Sequence, residues 1–339
     1  MNESPRKNIR PILAIALWLC GIAGYLLFVN RAYFWNTTGG VGGVDGAAAS
    51  FAAEPYPLIC FGFIWAALLL PVLFSLRSLR GLAVHISNFR RYFYLLSNLV
   101  RRDITTKYRR SVLGILWSVL NPLLMMAVMT VVFQQLFRIQ IENFAMYYLS
   151  GALVFNFMSE ATSGAMSSIT GSGALIRKVY IPKYIFPMEK CLFALINALF
   201  SFIAVLIMLV IQKIPVTWSL LLFFIPILYC LVFCVGFGLA LASLNVFFRD
   251  TGHLYSVWVT AWMYLTPIIY PIDILPPAVQ TVVQFNPMFH YVEYFRQVVM
   301  YGTIPGLEAN ITCLIFSVFF LGAGLLAFKK NQDRFILFI

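Results

Sequence analysis

The sequence predicts an all-α, polytopic membrane helical bundle, and three observations carry that expectation. Of the 339 residues, 61% are hydrophobic and only 11% charged, with a mean hydropathy of +0.87, a balance that a wholly water-exposed surface does not tolerate. The apolar residues fall in runs of bilayer length and lack the weak alternation of a membrane barrel; lipid admits only elements whose backbone groups are satisfied internally. The cations are spread unevenly between those runs.

Eight runs read as spans: Pro11 to Val29, Pro57 to Leu76, Leu113 to Phe137, Ala145 to Ile169, Phe186 to Ile211, Trp218 to Phe247, Leu254 to Tyr270 and Leu307 to Phe328. The first has no small-residue cleavage site close behind it, so it reads as an anchor and not as a cleaved signal. The seventh, about 17 residues, stands at the short end for a crossing and either spans or turns back part-way.

Orientation follows from Lys and Arg, which concentrate on the cytoplasmic side of spans. With eight spans, 20 of the 24 lie inside, leaving Arg31, Arg138, Lys213 and Arg296 outside, and both termini are expected in the cytoplasm. The net charge of +12 is then a topology signal that requires no nucleic-acid partner. Cys20, Cys60, Cys191, Cys230, Cys234 and Cys313 lie in or beside apolar runs, without ligand spacing to His85, His253 or His290. They read as small buried hydrophobes, so neither metal nor redox chemistry is expected.

Between the second and third runs lies SNFRRYFYLLSNLVRRDITTKYRRS, Ser87 to Ser111. Phe89, Tyr92, Phe93, Leu96, Leu99, Val100 and Ile104 recur at steps of three and four with cations mostly between them, the pattern of a helix lying in the interface plane at the inner leaflet. One reading is a surface anchor. The other is that Arg101, Arg102, Arg109 and Arg110 also hold the phosphates of an anionic, lipid-linked substrate, because a guanidinium offers bidentate contacts to phosphate oxygens.

Several chemistries find no support. TGSGALIRK lacks the Gly-Lys-Ser/Thr ending of a phosphate-cradling loop, and GGVGGVDG, Gly39 to Gly46, has no strand before it and no dinucleotide fingerprint. Glu160, Glu189, Asp250 and Glu293 are widely separated in topology and form no evident catalytic pair. An ion-coupled carrier would want midplane charge and internal symmetry, and neither is visible. Glu160 reads either as the lining of a polar conduit or as a packing carboxyl.

RRDITTKYRRSVLGILWSVLNPLLMMAVMTVVFQQLFRI, GALVFNFMSEATSGAMSSI, LIRKVYIPKYIFP, YLTPIIYPIDILPP and FNPMFHYVEYFRQVV follow one another in that order. Together they resemble the membrane permease of ABC-type polysaccharide exporters, which carry O-antigen, teichoic acid and capsule chains out of bacteria. The resemblance covers roughly residues 88 to 335, and its consecutive motifs make it specific at the family level. It implies an interfacial helix over 88–112 and a six-span core over 113–339; residues 1–87, a two-span extension, depart from the family pattern and gain no role from it. It further implies a homodimer in the bacterial cytoplasmic membrane, two cytoplasmic ATPase subunits that bind ATP and Mg while this chain binds no cofactor, and a lipid-linked polysaccharide as substrate. A permease for a drug, peptide or other hydrophobic cargo on the same scaffold is the alternative.

Within this frame LIRKVYIPKYIFP, Leu175 to Pro187, matches the family's cytoplasmic segment contacting the ATPase. Its cations and rings, bounded by Pro182 and Pro187, suit a docking element, with Arg177, Lys178, Tyr180, Pro182, Lys183 and Tyr184 as the coupling candidates. Tyr255, Trp258 and Trp262, spaced by three and four, share one helical face that either lines a glycan path or forms an interfacial aromatic girdle.

Overall fold

The computed structural model describes residues 92–109, 113–137, 141–179, 181–215 and 217–338, all within one compact unit, Asn88–Ile339. The expected spans at 11–29 and 57–76 lie outside the described residues. Among those described there is no strand. Helix α1 covers residues 92–108. Then come α2 (Leu116–Thr130), continued by a wider turn (Val131–Leu136), α3 (Phe144–Gly171), α4 (Gly173–Lys178) and α5 (Ile185–Ile211). A tight turn (Trp218–Phe223) leads into α6 (Phe224–Phe247), followed by α7 (Thr251–Leu265), α8 (Pro277–Gln284), α9 (Pro287–Val299) and α10 (Leu307–Asn331). The short turn Gln332–Arg334 and the single-turn α11 (Phe335–Phe338) come last.

Four of these stretches are long and apolar enough to cross a bilayer: Leu116–Leu136, Ile185–Ile211, Trp218–Phe247 and Leu307–Arg334. Helix α3, at 28 residues, is long enough but less oily, and its position explains why. It packs against α2, α5, α6, α7 and α9, and 19 of its residues are buried, Ser150, Thr162 and Ser168 among them, so these hydroxyls meet protein and not lipid. Around it, α6 and α10 approach backbone to backbone. A Cβ on Gly324 would stand 1.8 Å from the Gly236 carbonyl oxygen, and one on Gly236 would stand 2.3 Å from the Leu321 Cα, so only glycine fits either position.

The seventh run, expected either to span or to turn back part-way, forms a helix too short to span. Helix α7 has 15 residues, about 22 Å at 1.5 Å per residue against a hydrocarbon core of ~30 Å. It stops at Thr266, whose extended ψ of 127° is what the following Pro267 demands. Residues 266–269 are buried although irregular, so their carbonyls need donors. The Tyr147 hydroxyl donates to Pro267 O (3.3 Å) and Tyr270 O (3.0 Å), and Arg296 Nη2 donates to Ile268 O (3.3 Å) and Tyr147 O (3.2 Å). Asn286 completes the corner, accepting from Trp262 Nε1 (2.7 Å), donating to Thr266 Oγ1 (2.8 Å) and capping α9 through Met288 N.

Arg296, counted among the outside cations, is therefore a buried residue of α9. It is 1% exposed, and its guanidinium carbon lies 3.5 Å from the centroid of the Tyr147 ring. Helix α1 is helical as expected and buries part of its apolar face within the protein. Leu96, Leu99 and Val100 are buried, and Leu96 and Leu99 share an apolar cluster with Ile185, flanked by Met188 and Leu192. Part of the apolar face thus meets α5, and Phe93 and Tyr94 remain as exposed rings.

Candidate functional site

Two features identified in the sequence meet where α1 lies beside the start of α5. The segment from Leu175 to Pro187 begins as α4, breaks at Val179, whose φ of −134° and ψ of 133° are extended, and resumes as helix at Ile185. Pro182 offers no backbone N–H to continue α4, whereas Pro187 sits in the first turn of α5, where the helix has no acceptor for an N–H in any case. Arg177 and Lys178 lie in the last turn of α4, where cations complement the helix dipole, and both are exposed. Tyr180 lies outside the described residues. Ile181 and Tyr184 are half-buried between two apolar clusters, one holding Leu96, Leu99 and Ile185, the other Phe186, Phe328 and Phe335.

Lys183 is engaged within the chain: its ammonium donates to the Gln332 carbonyl and stands 5.8 Å from the Phe335 ring centroid. Arg177 and Lys178 are the exposed cations of the segment, and Lys183 fastens it to the chain after α10.

On α1, Arg101, Arg102 and Arg109 line an open groove of about 390 Å³ with Asn98, Thr105 and Thr106. The threonine hydroxyls donate back to Arg101 O and Arg102 O, both at 2.8 Å, which leaves the guanidinium groups as the groove's principal donors. Arg102 is partly committed, with Nη2 2.9 Å from Asp103 Oδ1; Arg101 and Arg109 make no ion pair with a described residue. Arg110 lies outside the described residues.

The opposite face of α1 carries contacts that sequence reading missed. Asp103 pairs with Lys190 of α5, which also lies 3.4 Å from the buried Glu189. Burial pushes the Asp103 carboxyl up, but hydrogen bonds and charge from Lys190 and Arg102 outweigh it and hold the group below the ordinary carboxylate value. The stabilisation is present above the unfolded value and is lost only as pH falls through the lowered one, so Asp103 is charged at neutral pH. One turn on, Lys107 binds Glu160 of α3 (3.0 Å), and Glu160 also accepts from Asn197 Nδ2 (2.7 Å). Tyr108 donates to Asn197 Oδ1 (2.9 Å) and meets Ser118 Oγ of α2 (2.5 Å). Glu160 is the helix-linking carboxyl of this network, with partners other than the adjacent hydroxyls. The hint in the sequence was the i, i+4 pair Asp103 and Lys107 within an otherwise apolar face.

The aromatic stripe of α7 does not form one exposed face. Tyr255 is 4% exposed with its hydroxyl 2.6 Å from Thr162 Oγ1, and Trp262 is 8% exposed and bonded to Asn286; Trp258 alone of the three is open, at 55%. The four described cysteines are free and buried.

Residues 94–301, more than half of the chain, match the ABC-2 type transporter family. The chain belongs to that family. Among the relatives of this ABC-2 transporter protein is the O-antigen export system permease protein RfbA of Myxococcus xanthus, 30% identical over 246 residues, which cover 72% of this chain and 95% of the relative. An RfbA of Klebsiella pneumoniae is 26% identical over 72% of the chain and 94% of its own length. The capsule polysaccharide export inner-membrane protein CtrC of Neisseria meningitidis is 28% identical over 58% of the chain and 76% of its own length.

Proposed function

We propose that this chain is the inner-membrane permease subunit of an exporter that moves a lipid-linked polysaccharide, working as a homodimer with two copies of a separate ATPase that binds ATP and Mg. The observation that carries the reading is the set of relatives: those aligned over nine-tenths of their length or more include O-antigen export permeases. The same relatives favour a polysaccharide over a drug or peptide cargo. The open groove of Arg101, Arg102 and Arg109 supports a headgroup role, since clustered guanidinium groups suit phosphate oxygens. The exposed Arg177 and Lys178 support docking to an acidic surface of the ATPase.

The test is complementation. In a cell deleted for its own copy, the chain with its ATPase restores polysaccharide at the cell surface. The double substitution Arg101→Gln, Arg109→Gln lowers the surface polymer with normal insertion, because the groove loses charge while the packed face of α1 is untouched. Unchanged surface polymer in that variant reduces α1 to an anchor; failure of the unsubstituted chain to restore any polymer rejects the polysaccharide reading.

A further inference from the structure

Helix α1 meets α5 at three levels that keep step with one another. Leu96 and Leu99 cluster with Ile185, the first residue of α5. Asp103 pairs with Lys190, 87 residues further on, and Tyr108 with Asn197, 89 residues further on. A nearly constant offset means that the two helices advance side by side in the same direction, over about three turns or ~18 Å. Ile181 and Tyr184 of the coupling segment pack against the same cluster, so α1 rests on that segment as well as on the helix it leads into.

The attachment to α3 is of a different strength. Lys107 and Glu160 have side chains 41% and 39% exposed, the class of ion pair that contributes least, whereas Lys190 and Asp103 are 27% and 16% exposed. At 100° per residue, Asn98, Arg101, Thr105 and Arg109 stand on the far side of α1 from Leu96, Val100, Asp103 and Lys107, with Arg102 and Thr106 on the flank between. The groove therefore opens away from α5 while the ion pair faces it.

From this arrangement we infer that Asp103 and Lys190 are positioning residues that join α1 to the first turns of α5 as one rigid body, so that the arginine groove moves with the coupling segment. This rests on the reading of groove and segment given under the proposed function. A displacement of Leu175 to Pro187 by the ATPase then carries the groove with it, and an anion held in the groove bears directly on the segment. Helix α1 does not swing away from α5 during transport.

The experiment replaces Asp103 and Lys190 by cysteine in a background whose six native cysteines are serine and which still exports. A short bifunctional thiol reagent then joins the two positions. Before cross-linking, the pair lacks its tie, and stimulation of ATP hydrolysis by an added polyprenyl pyrophosphate falls while unstimulated hydrolysis persists. After cross-linking, stimulation and export return, and Asp103→Glu with native Lys190 keeps both. Absence of a cross-link contradicts the side-by-side course of the helices, and loss of export on cross-linking a pair that exported before it overturns the rigid body. Copurification of the Arg177→Glu, Lys178→Glu variant with the ATPase is measured in parallel. Retained binding there rejects the coupling reading by itself, whatever the cross-link shows about α1 and α5.

Discussion

Arg296 illustrates what a side chain can do that a cation count does not register. Its hydrogen-bond acceptors are the carbonyls of Tyr147 and Ile268, 149 and 28 residues away, and its face lies on the Tyr147 ring. Nothing in the local sequence names those partners, because main-chain oxygens acquire a need for donors only once Pro267 has broken α7 and the break is buried. Replacing Arg296 by Met is expected to leave the Ile268 carbonyl without this donor, at about 1–3 kcal/mol for a buried group left unsatisfied, whereas the Tyr147 carbonyl keeps the Ser150 hydroxyl. A lower midpoint in thermal unfolding of the purified protein checks this. Arg296→Lys recovers only part of the loss, since an ammonium lacks the planar fork that stacks on the ring. Lys183 teaches the same lesson: counted among the docking cations, it is held by Gln332 and Phe335, and only the fold brings those residues to it.

At the scale of elements, the long runs were legible and the broken one was left open. Leu113 to Phe137, Phe186 to Ile211, Trp218 to Phe247 and Leu307 to Phe328 each correspond to a helix of spanning length, because bilayer thickness imposes length and apolarity together. The Leu254 to Tyr270 run had the apolarity but a helix that ends at Leu265, and Pro267 within it was the available signal. The three- and four-residue periodicity of α1 located its apolar face; it did not distinguish a face turned to lipid from one packed on α5. Likewise the spacing of Tyr255, Trp258 and Trp262 left open whether the stripe was outward or buried, and burial took two of the three. The contact between α6 and α10 is sharper. Gly236→Val or Gly324→Val forces a side chain into backbone, and the helices must part. The expected result is a protein that inserts but fails to give a monodisperse peak in detergent, while valine at Gly306, where a Cβ meets nothing within 4 Å, leaves the peak unchanged.

For the whole molecule, composition and cation placement led to a helical membrane protein, and five consecutive motifs led to its family. What they did not disclose is how Leu175 to Pro187 is seated. It lies between α1 on one side and Phe328 with Phe335 on the other, and Ile181 and Tyr184 touch both clusters. Each half of that seat comes from a distant part of the chain, so no window of sequence contains it. The seat leaves Arg177 and Lys178 outward, and the account of function depends on what they meet. The most direct measurement is therefore to copurify the chain with its ATPase, in parallel with Arg177→Glu, Lys178→Glu, and to follow ATP hydrolysis and polymer at the cell surface. Charge reversal at a partly desolvated contact costs several kcal/mol, so the predicted result is loss of the ATPase from the complex and of surface polymer, with the permease itself still folded and inserted. Full copurification and normal export by the charge-reversed protein would contradict the account.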